Sequence, residues 1–353
     1  MNSQVNLTDL EYSKLESFVT ETLGQPKFRA KQIFGWIHGG PAKDGGIRMG
    51  AESFEDRSNL PKSLRAKLAE CATLVQPAVL REQGSDLDGT RKFLFGLEDG
   101  NAIESVFMKY KFGNSICVSS QAGCRMGCRF CASTIGGLKR NLTPGEIEGQ
   151  ILAAQKQTGE RISHVVVMGT GEPFDNYENL AAFIRIINDR NGLDIGMRNI
   201  TVSTCGLVPK IARFAEDFPQ VNLAISLHAA RDEMRSEIMP VNKTYPMKTL
   251  LEACKDYTEK TSRRITFEYT LVKGVNDSTE HAKMLASRLR GMLCHVNLIP
   301  LNKVEETGYD TTERGAVIRF QKVLNENGIP ATIRRELGDD IDAACGQLRL
   351  SES

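Results

Sequence analysis

The chain has 353 residues, 41% hydrophobic and 25% charged, with 45 Lys and Arg against 44 Asp and Glu. That length allows one large domain and a smaller one, the composition is that of a soluble globular protein, and the near-neutral total charge argues for no particular partner. No apolar run is long enough to span a membrane and no signal core opens the chain, so the expectation is a cytoplasmic protein with no membrane partner, whose nine cysteines serve metal or redox chemistry rather than disulfide staples.

Residues 7–38 read as helices, the first opening on a Thr8 cap and broken at Gly24-Gln25-Pro26 before FRAKQIFGWIH. A glycine-rich loop follows at 39–50, then a short helix over 59–70 with Pro61 near its start. RKFLFGL, EDGN and AIESVFMKY read as a β-hairpin. The expected organisation is therefore a small helical domain over 1–90, a connecting hairpin over 91–112 and a core over 113–353. Local charge is more telling than the total. Residues 25–68 carry nine basic side chains against four acidic ones, and 105–140 carry six basic and no acidic ones, which suits a polyanionic substrate.

From residue 115 on, β-rich apolar runs alternate with helical segments. The runs lie at 115–120, 164–169, 198–204, 222–228, 263–272, 295–300 and 330–335. Such alternation argues for a parallel sheet with helices outside. About six units point to an α/β fold, a partial (β/α)6 TIM-type barrel with its chemistry at the C-terminal strand ends. A doubly wound sheet is the alternative, but no G-x-G-x-x-G follows the first strand.

Directly after that first strand comes CRMGCRFCAS, with Cys124, Cys128 and Cys131 spaced C-x3-C-x2-C. Three thiolates do not saturate zinc, but they can hold three corners of a [4Fe–4S] cluster and leave the fourth iron open. A zinc knuckle with a distant fourth ligand is the competing reading; the full spacing, with Phe130 before the last cysteine, favours the cluster. This pattern resembles the radical S-adenosylmethionine enzymes. There the amino and carboxylate groups of the cofactor chelate the open iron, and one electron releases a 5′-deoxyadenosyl radical. Arg125 and Arg129 flank the triplet and can offset the charge of an anionic cluster. MGTGEP ends the second strand of the alternation, where Glu172 can accept from the cofactor ammonium. Ser203, the triad Ser226-Leu227-His228, and Asn302 follow at later strand ends.

Taken together, CVSSQAGCRMGCRFCASTIGGLKRNL, VVVMGTGEPFDNYENL, NLAISLH, GVNDSTEHA and GDDIDAACGQL resemble the RlmN/Cfr family of radical methyltransferases over residues 90–349, with a looser match before that. The bacterial RlmN branch is the more similar one. The resemblance implies a radical S-adenosylmethionine barrel that methylates carbon 2 of an adenosine in 23S rRNA and of the adenosine beside the anticodon in tRNA; the Cfr-like alternative is carbon 8 of the same rRNA base. Cys124, Cys128 and Cys131 would ligate the cluster. Gly171, Glu172, Ser203, Ser226, Leu227, His228 and Asn302 would contact S-adenosylmethionine. Cys345 would carry the methyl group, Glu104 would take the ring proton, and Cys117 would resolve the protein–RNA adduct by forming a transient disulfide with Cys345. A reducing protein such as flavodoxin would supply the electron, and the enzyme would act as a monomer. The 39–50 loop is longer than the family's usual one. Arg29, Lys31, Lys62, Arg65 and Lys67 are candidates for phosphate contacts. Two other classes stay open on the residues alone: an activase acting on a partner protein, which needs no Cys117 or Cys345, and a metal-stabilised RNA-binding protein.

Overall fold

Apolar residues at helical spacing in the first seventy positions gather into a core of their own. The computed structural model describes residues 4–42, 44, 46–56, 59–302, 308–335 and 337–341. The N-terminal elements are β1 (Val5–Asn6), α1 (Tyr12–Ser17), which runs into a π turn over Phe18–Thr22, α2 (Phe28–Ile37), β2 (Gly40–Pro41), β3 (Ile47–Arg48), α3 (Lys62–Cys71) and β4 (Ala72–Thr73). Leu15, Val19, Ile33, Phe34, Ile37, Leu64 and Leu68 are buried together, each burial stabilising by about 1.5–3 kcal/mol. Thr8 is not the cap expected of it. It lies inside a 3-10 turn capped by Asn6, and its hydroxyl donates to the Val75 carbonyl at 3.1 Å, a long-range partner that local pattern does not reveal. The loop at 39–50 contains a short antiparallel ribbon in which Gly40 pairs with Arg48.

Four antiparallel strands come next: β5 (Ala78–Gly84), β6 (Arg91–Gly96), β7 (Ala102–Tyr110) and β8 (Gly113–Val118). The first of them was not expected from the sequence, because its AVLREQG is largely exposed and lacks an apolar alternation. A small ribbon of β9 (Gln121–Gly123) and β10 (Leu138–Asn141) then leads to α4 (Pro144–Thr158). That helix opens on a capping box in which Thr143 and Glu146 satisfy each other's amides and closes on Gly159.

The remainder alternates: β11 (Ile162–Val167), α5 (Tyr177–Asn188), β12 (Ile200–Thr204), α6 (Val208–Asp217), β13 (Asn222–Ser226), α7 (Asp232–Ile238), α8 (Met247–Thr261), β14 (Ile265–Leu271), α9 (Thr279–Leu289), β15 (Cys294–Pro300), α10 (Arg314–Glu326) and β16 (Ala331–Ile333). All ten strands from β5 to β8 and β11 to β16 form one sheet, parallel from β8 through β16. The sheet ends at β5 on one side and β16 on the other, so the barrel is an open arc.

Strand alternation sorts the side chains. Ile116 and Val118 of β8 join Ile147 and Ile151 of α4 in the main core, while Cys117 between them joins Val106, Met108 and Leu337 on the opposite, inward face. On β14, Ile265, Phe267, Tyr269 and Leu271 enter the main core, which leaves Glu268 and Thr270 facing inward. The N-terminal core meets the barrel along α4 and α5. Ile186 of α5 packs into it, and His38 at the end of α2 bonds through Nδ1 to Glu148 of α4 at 2.7 Å, both side chains fully buried. Among the described residues, no helix is long and apolar enough to cross a membrane.

Candidate active site

The loop carrying Cys124, Cys128 and Cys131 hangs from the β9–β10 ribbon and is fixed by buried amides. Gln150 of α4 accepts from the Ser119 amide at 2.8 Å and donates to the Ser119 carbonyl at 2.9 Å. The Ser119 hydroxyl donates to the Glu104 carbonyl at 2.6 Å and accepts from the Thr170 amide at 2.9 Å, so β7, β8 and the turn after β11 meet at one point. Gln121 accepts from the Glu172 amide at 2.8 Å and donates to Asn141 and Asp175. Gly171 sits at φ 110, with room for no side chain: a Cβ there would lie 2.6 Å from that of Gln121. This close approach, not a generic turn, is why the MGTGEP segment needs glycine.

One cavity at the C-terminal strand ends is lined by Cys124, Cys128, Cys131, Gly171, Glu172, Ser203, Ser226, His228 and Asn302. Nine of the residues expected at the cluster and cofactor thus come together from five strand ends. Leu227 differs: it is not among the residues that line this cavity, its side chain is buried in the core, and its amide donates to the Glu268 carbonyl at 3.0 Å.

Burial pushes the Cys124 thiol up to about 12, with the carboxylate of Glu172 and the Cys131 sulfur adding to the rise. Burial, then the charges of Cys131 and Cys124, raise Cys128 as well. Bare thiolates at Cys124 and Cys128 are therefore disfavoured, and a bound metal charge is what would stabilise them; with Cys131 beside them the three sulfurs are the donor set that an iron–sulfur cluster requires. Arg125 pairs with Asp175, and the Arg129 amide donates to the Ile238 carbonyl at 3.0 Å, tying the loop to α7.

Arg235 had no signal in the sequence that set it apart from a surface arginine of α7. It is fully buried and donates to the carbonyls of Leu227, Cys205 and Ser226 and to Asn242 Oδ1, at 2.7–3.1 Å. Its charge acts on Cys128 and Cys205 from behind the cavity.

Glu172 spans two loops. Its carboxylate accepts from the amides of Phe174 at 2.9 Å and Cys205 at 2.7 Å, and burial raises its pKa. His228 adopts φ 52 and accepts from the Thr270 amide through Nδ1 at 2.9 Å, so its proton sits on Nε2. Burial, reinforced by the Arg235 charge, pushes it down to about 3 from 6.5. The unfolded chain then binds the extra proton between those two values. His228 is expected to take away stability as pH falls below 6.5, at up to about 1.4 kcal/mol per pH unit, and nothing above it. Denaturation midpoints from pH 7 to 5 check this: the slope should flatten in His228→Gln, and an unchanged slope would refute the assignment.

Glu104 and Cys117 lie on the inward face of neighbouring strands, Cys117 directly opposite Val106. Lys92, on β6, reaches Glu104 at 3.1 Å, with both side chains largely buried. Cys345 falls outside the described residues. The described chain before it does reach Cys117: Leu337 and Ile341 pack in the same inward cluster. That approach is anchored by the Gly338 amide on Asp88 at 3.0 Å and by the Asp86 amide on Asp340 at 3.1 Å.

Of the basic N-terminal candidates, Arg65 donates to the carbonyls of Phe54, Glu55 and Asp56, and Lys67 to that of Leu23 at 2.8 Å. Arg29 donates to Gln32 and lies over the Phe28 ring. Lys31 is exposed and lines a groove with Phe28, Trp36, Arg48 and Arg190, and Lys62 is exposed as well. Lys43 and Arg57 lie outside the described residues.

The radical SAM superfamily model matches residues 118–285, and the model of the ribosomal RNA large subunit methyltransferase N-terminal domain matches 5–74. Proteins named probable dual-specificity RNA methyltransferase RlmN, from Desulforamulus reducens and Clostridium tetani, are each 51% identical, and each alignment covers 99% of this chain and 97% of the relative. The crystal structure of a radical SAM methyltransferase from Sphaerobacter thermophilus matches with TM-score 0.91 and 44% identity, covering 98% of this chain and 100% of that one.

Proposed function

The chain belongs to the RlmN family of radical S-adenosylmethionine, dual-specificity RNA methyltransferases, and on that premise we propose that it methylates carbon 2 of an adenosine in the peptidyl transferase centre of 23S rRNA and of the adenosine beside the anticodon in tRNA. Its cofactors are those of the superfamily, a [4Fe–4S] cluster and S-adenosylmethionine. When bound by Cys124, Cys128 and Cys131, the cluster together with the cofactor supplies a 5′-deoxyadenosyl radical.

The protein's own residues carry the rest of the reading. Cys345 holds a methyl group as a thioether, would give one hydrogen atom of it to the 5′-deoxyadenosyl radical, and bonds through the resulting carbon to the electron-poor ring position between two nitrogens; the adduct then gives up one electron, which the oxidised cluster would take back. Glu104 takes the ring proton, for which Lys92 holds its carboxylate in place. Cys117 attacks the Cys345 sulfur, the sulfur–carbon bond breaks as the disulfide forms, and the departing carbon keeps the electron pair and takes a proton to become the methyl group of the base. Gly171, Glu172, Ser203, Ser226, the Leu227 backbone, His228 and Asn302 bind the cofactor. A reducing protein such as flavodoxin is the electron source, and the monomer is the working unit in the cytoplasm.

The observation that carries this reading is the inward cluster of Cys117 with Leu337 and Ile341. Three residues lie between Ile341 and Cys345, and the four peptide steps span at most about 14 Å, so chain length permits the Cys345 sulfur to approach that of Cys117. Neither an activase nor a metal-stabilised RNA-binding protein requires that approach. Lys31 and Lys62, together with the exposed Phe28, support an RNA-binding role for the N-terminal helices.

The test is nucleoside mass spectrometry of RNA from cells carrying or lacking the protein. We expect 2-methyladenosine with the wild-type chain and at least roughly a thousandfold less with Cys345→Ala. Recovery of 8-methyladenosine would overturn the carbon 2 assignment, and wild-type methylation by Cys345→Ala would overturn the cysteine scheme.

A further inference from the structure

Lys92 stands two strands away from the thiol that is assigned above to product release. β6 pairs Lys92 with Val106 of β7, and β7 pairs Val106 with Cys117 of β8, so the three residues form one lateral row. Directly opposed residues share a face, and this row is on the inward one. Val106 and Cys117 pack there with Met108 and Leu337, while Phe93 and Phe95 of β6 enter the main core. Glu104 shares that face and is the diagonal neighbour of Cys117 across β7 and β8, about 7–8 Å away at the backbone. The Lys92 ammonium meets its carboxylate at 3.1 Å, and both side chains are largely buried, so solvent screens the pair little.

Other titratable groups face this cluster from the elements packed on it. β5 presents the exposed Arg81 opposite Leu94, and Gln83 opposite Lys92. β11 presents Val166 opposite Cys117, and His164 opposite Ser115. Arg334, beyond β16, lines the lumen with Met108 and Val166, and its charge acts on Glu268. The returning chain brings Leu337 and Ile341, with Asp88 and Asp340 bonded to backbone amides. Of these charges, Lys92 shares the row of Cys117 and Glu104 lies diagonal to it.

A thiol attacks sulfur as its thiolate, and at neutral pH a thiol of ordinary acidity is only a few per cent ionised. While Glu104 is ionised, it neutralises the Lys92 charge and opposes a second anion at Cys117. Once Glu104 has taken the ring proton, its carboxyl is neutral and the Lys92 charge favours the Cys117 thiolate. We infer that Lys92 and Glu104 time product release, making Cys117 a nucleophile only after the ring proton has arrived on Glu104. The inference rests on the roles given above to Glu104 and Cys117. In the release step the Cys117 proton goes to water, and its electron pair forms the sulfur–sulfur bond. The carbon–sulfur bond of the adduct breaks, and its pair stays on the carbon, which takes a proton. Lys92 exchanges no atom and is a positioning residue.

The test begins with single-turnover reactions of the anaerobic holoenzyme and RNA, quenched onto denaturing gels at roughly pH 6 to 9, which separate formation of the adduct from its decay. Lys92→Met should slow decay at pH 7 roughly tenfold and move the midpoint of its pH profile up by about one unit, and Lys92→Arg should restore both. Slower formation with a wild-type decay profile would mean that Lys92 only orients Glu104, and would overturn the inference. The second measurement needs no turnover: the rate at which methyl methanethiosulfonate modifies Cys117 in RNA-free holoenzyme, read by peptide mass spectrometry. Glu104→Gln sets a neutral group beside Lys92 and should move the midpoint of that rate down by about one pH unit. Adding Lys92→Met should abolish the gain. Equal midpoints in wild type and Glu104→Gln would overturn the inference, and so would a Cys117 that stays unmodified in both up to roughly pH 9. Failure of the resolving role itself is read separately, as unimpaired turnover by Cys117→Ala.

Discussion

Cys117→Ala is expected to turn the enzyme into a trap for its own substrate. In the proposed sequence the RNA leaves only when the Cys117 thiolate attacks the sulfur of Cys345, and no other described cysteine shares the inward cluster of Cys117. Cys71, Cys254 and Cys294 lie elsewhere, in the N-terminal core or the main core. Multiple turnover should fall by roughly a thousandfold or more, while formation of the covalent protein–RNA species is preserved. A denaturing gel of anaerobic reactions reads both quantities. The adduct should be absent in Cys345→Ala and in the double variant. Unimpaired turnover by Cys117→Ala would mean that a small thiol or water releases the product, and the resolving role would be lost.

The second large effect is expected away from the reacting atoms. Arg235→Met removes donors from three backbone carbonyls and from Asn242, all buried at the ends of β12 and β13 and in the segment after α7. A buried acceptor left without a donor costs about 1–3 kcal/mol. Even with relaxation, the sum should reach about 3–5 kcal/mol, a large share of the roughly 5–15 kcal/mol that holds a typical protein folded. The melting temperature of the reconstituted protein should drop by about 4–7 °C, with less iron retained, because Cys128 and Cys205 lose the charge behind them. Arg235→Lys keeps the charge but cannot reach all four acceptors, and should fall between. A melting temperature within 2 °C of wild type, to use a rough threshold, would show that these carbonyls find other donors.

Both predictions depend on features of different visibility. Cys117 stood out because its motif runs into the cysteine triplet, and the seven strand-forming runs from residue 115 each correspond to a parallel strand of the arc. Apolar alternation in those runs reports which face meets the helices, and that is a local property. β5 was missed for the converse reason. Its side chains are mostly exposed, so what makes it a strand is the pairing of Ala78 through Gly84 with β6, and no hydrophobic pattern records that pairing. Thr8 was misread in the same way, since its hydroxyl answers a carbonyl 67 positions away.

Glu268 lies between these cases. A polar residue in phase with Thr266 and Thr270, and out of phase with Phe267 and Tyr269, signals an inward strand face, but not what that face meets.

By itself, the order of residues determined the barrel class, the three thiols and the family, because strand and helix periods and short ligand spacings are written within a few neighbouring positions. Only the tertiary structure decided that Ser226, Glu268 and Asn297 form one row, that Arg235 closes four acceptors behind the cluster cysteines, and that Leu337 and Ile341 return to Cys117. Those relations follow from sheet register and chain return over distances of tens to hundreds of residues. Lateral register is set by the packing of the whole arc, so no single segment contains it.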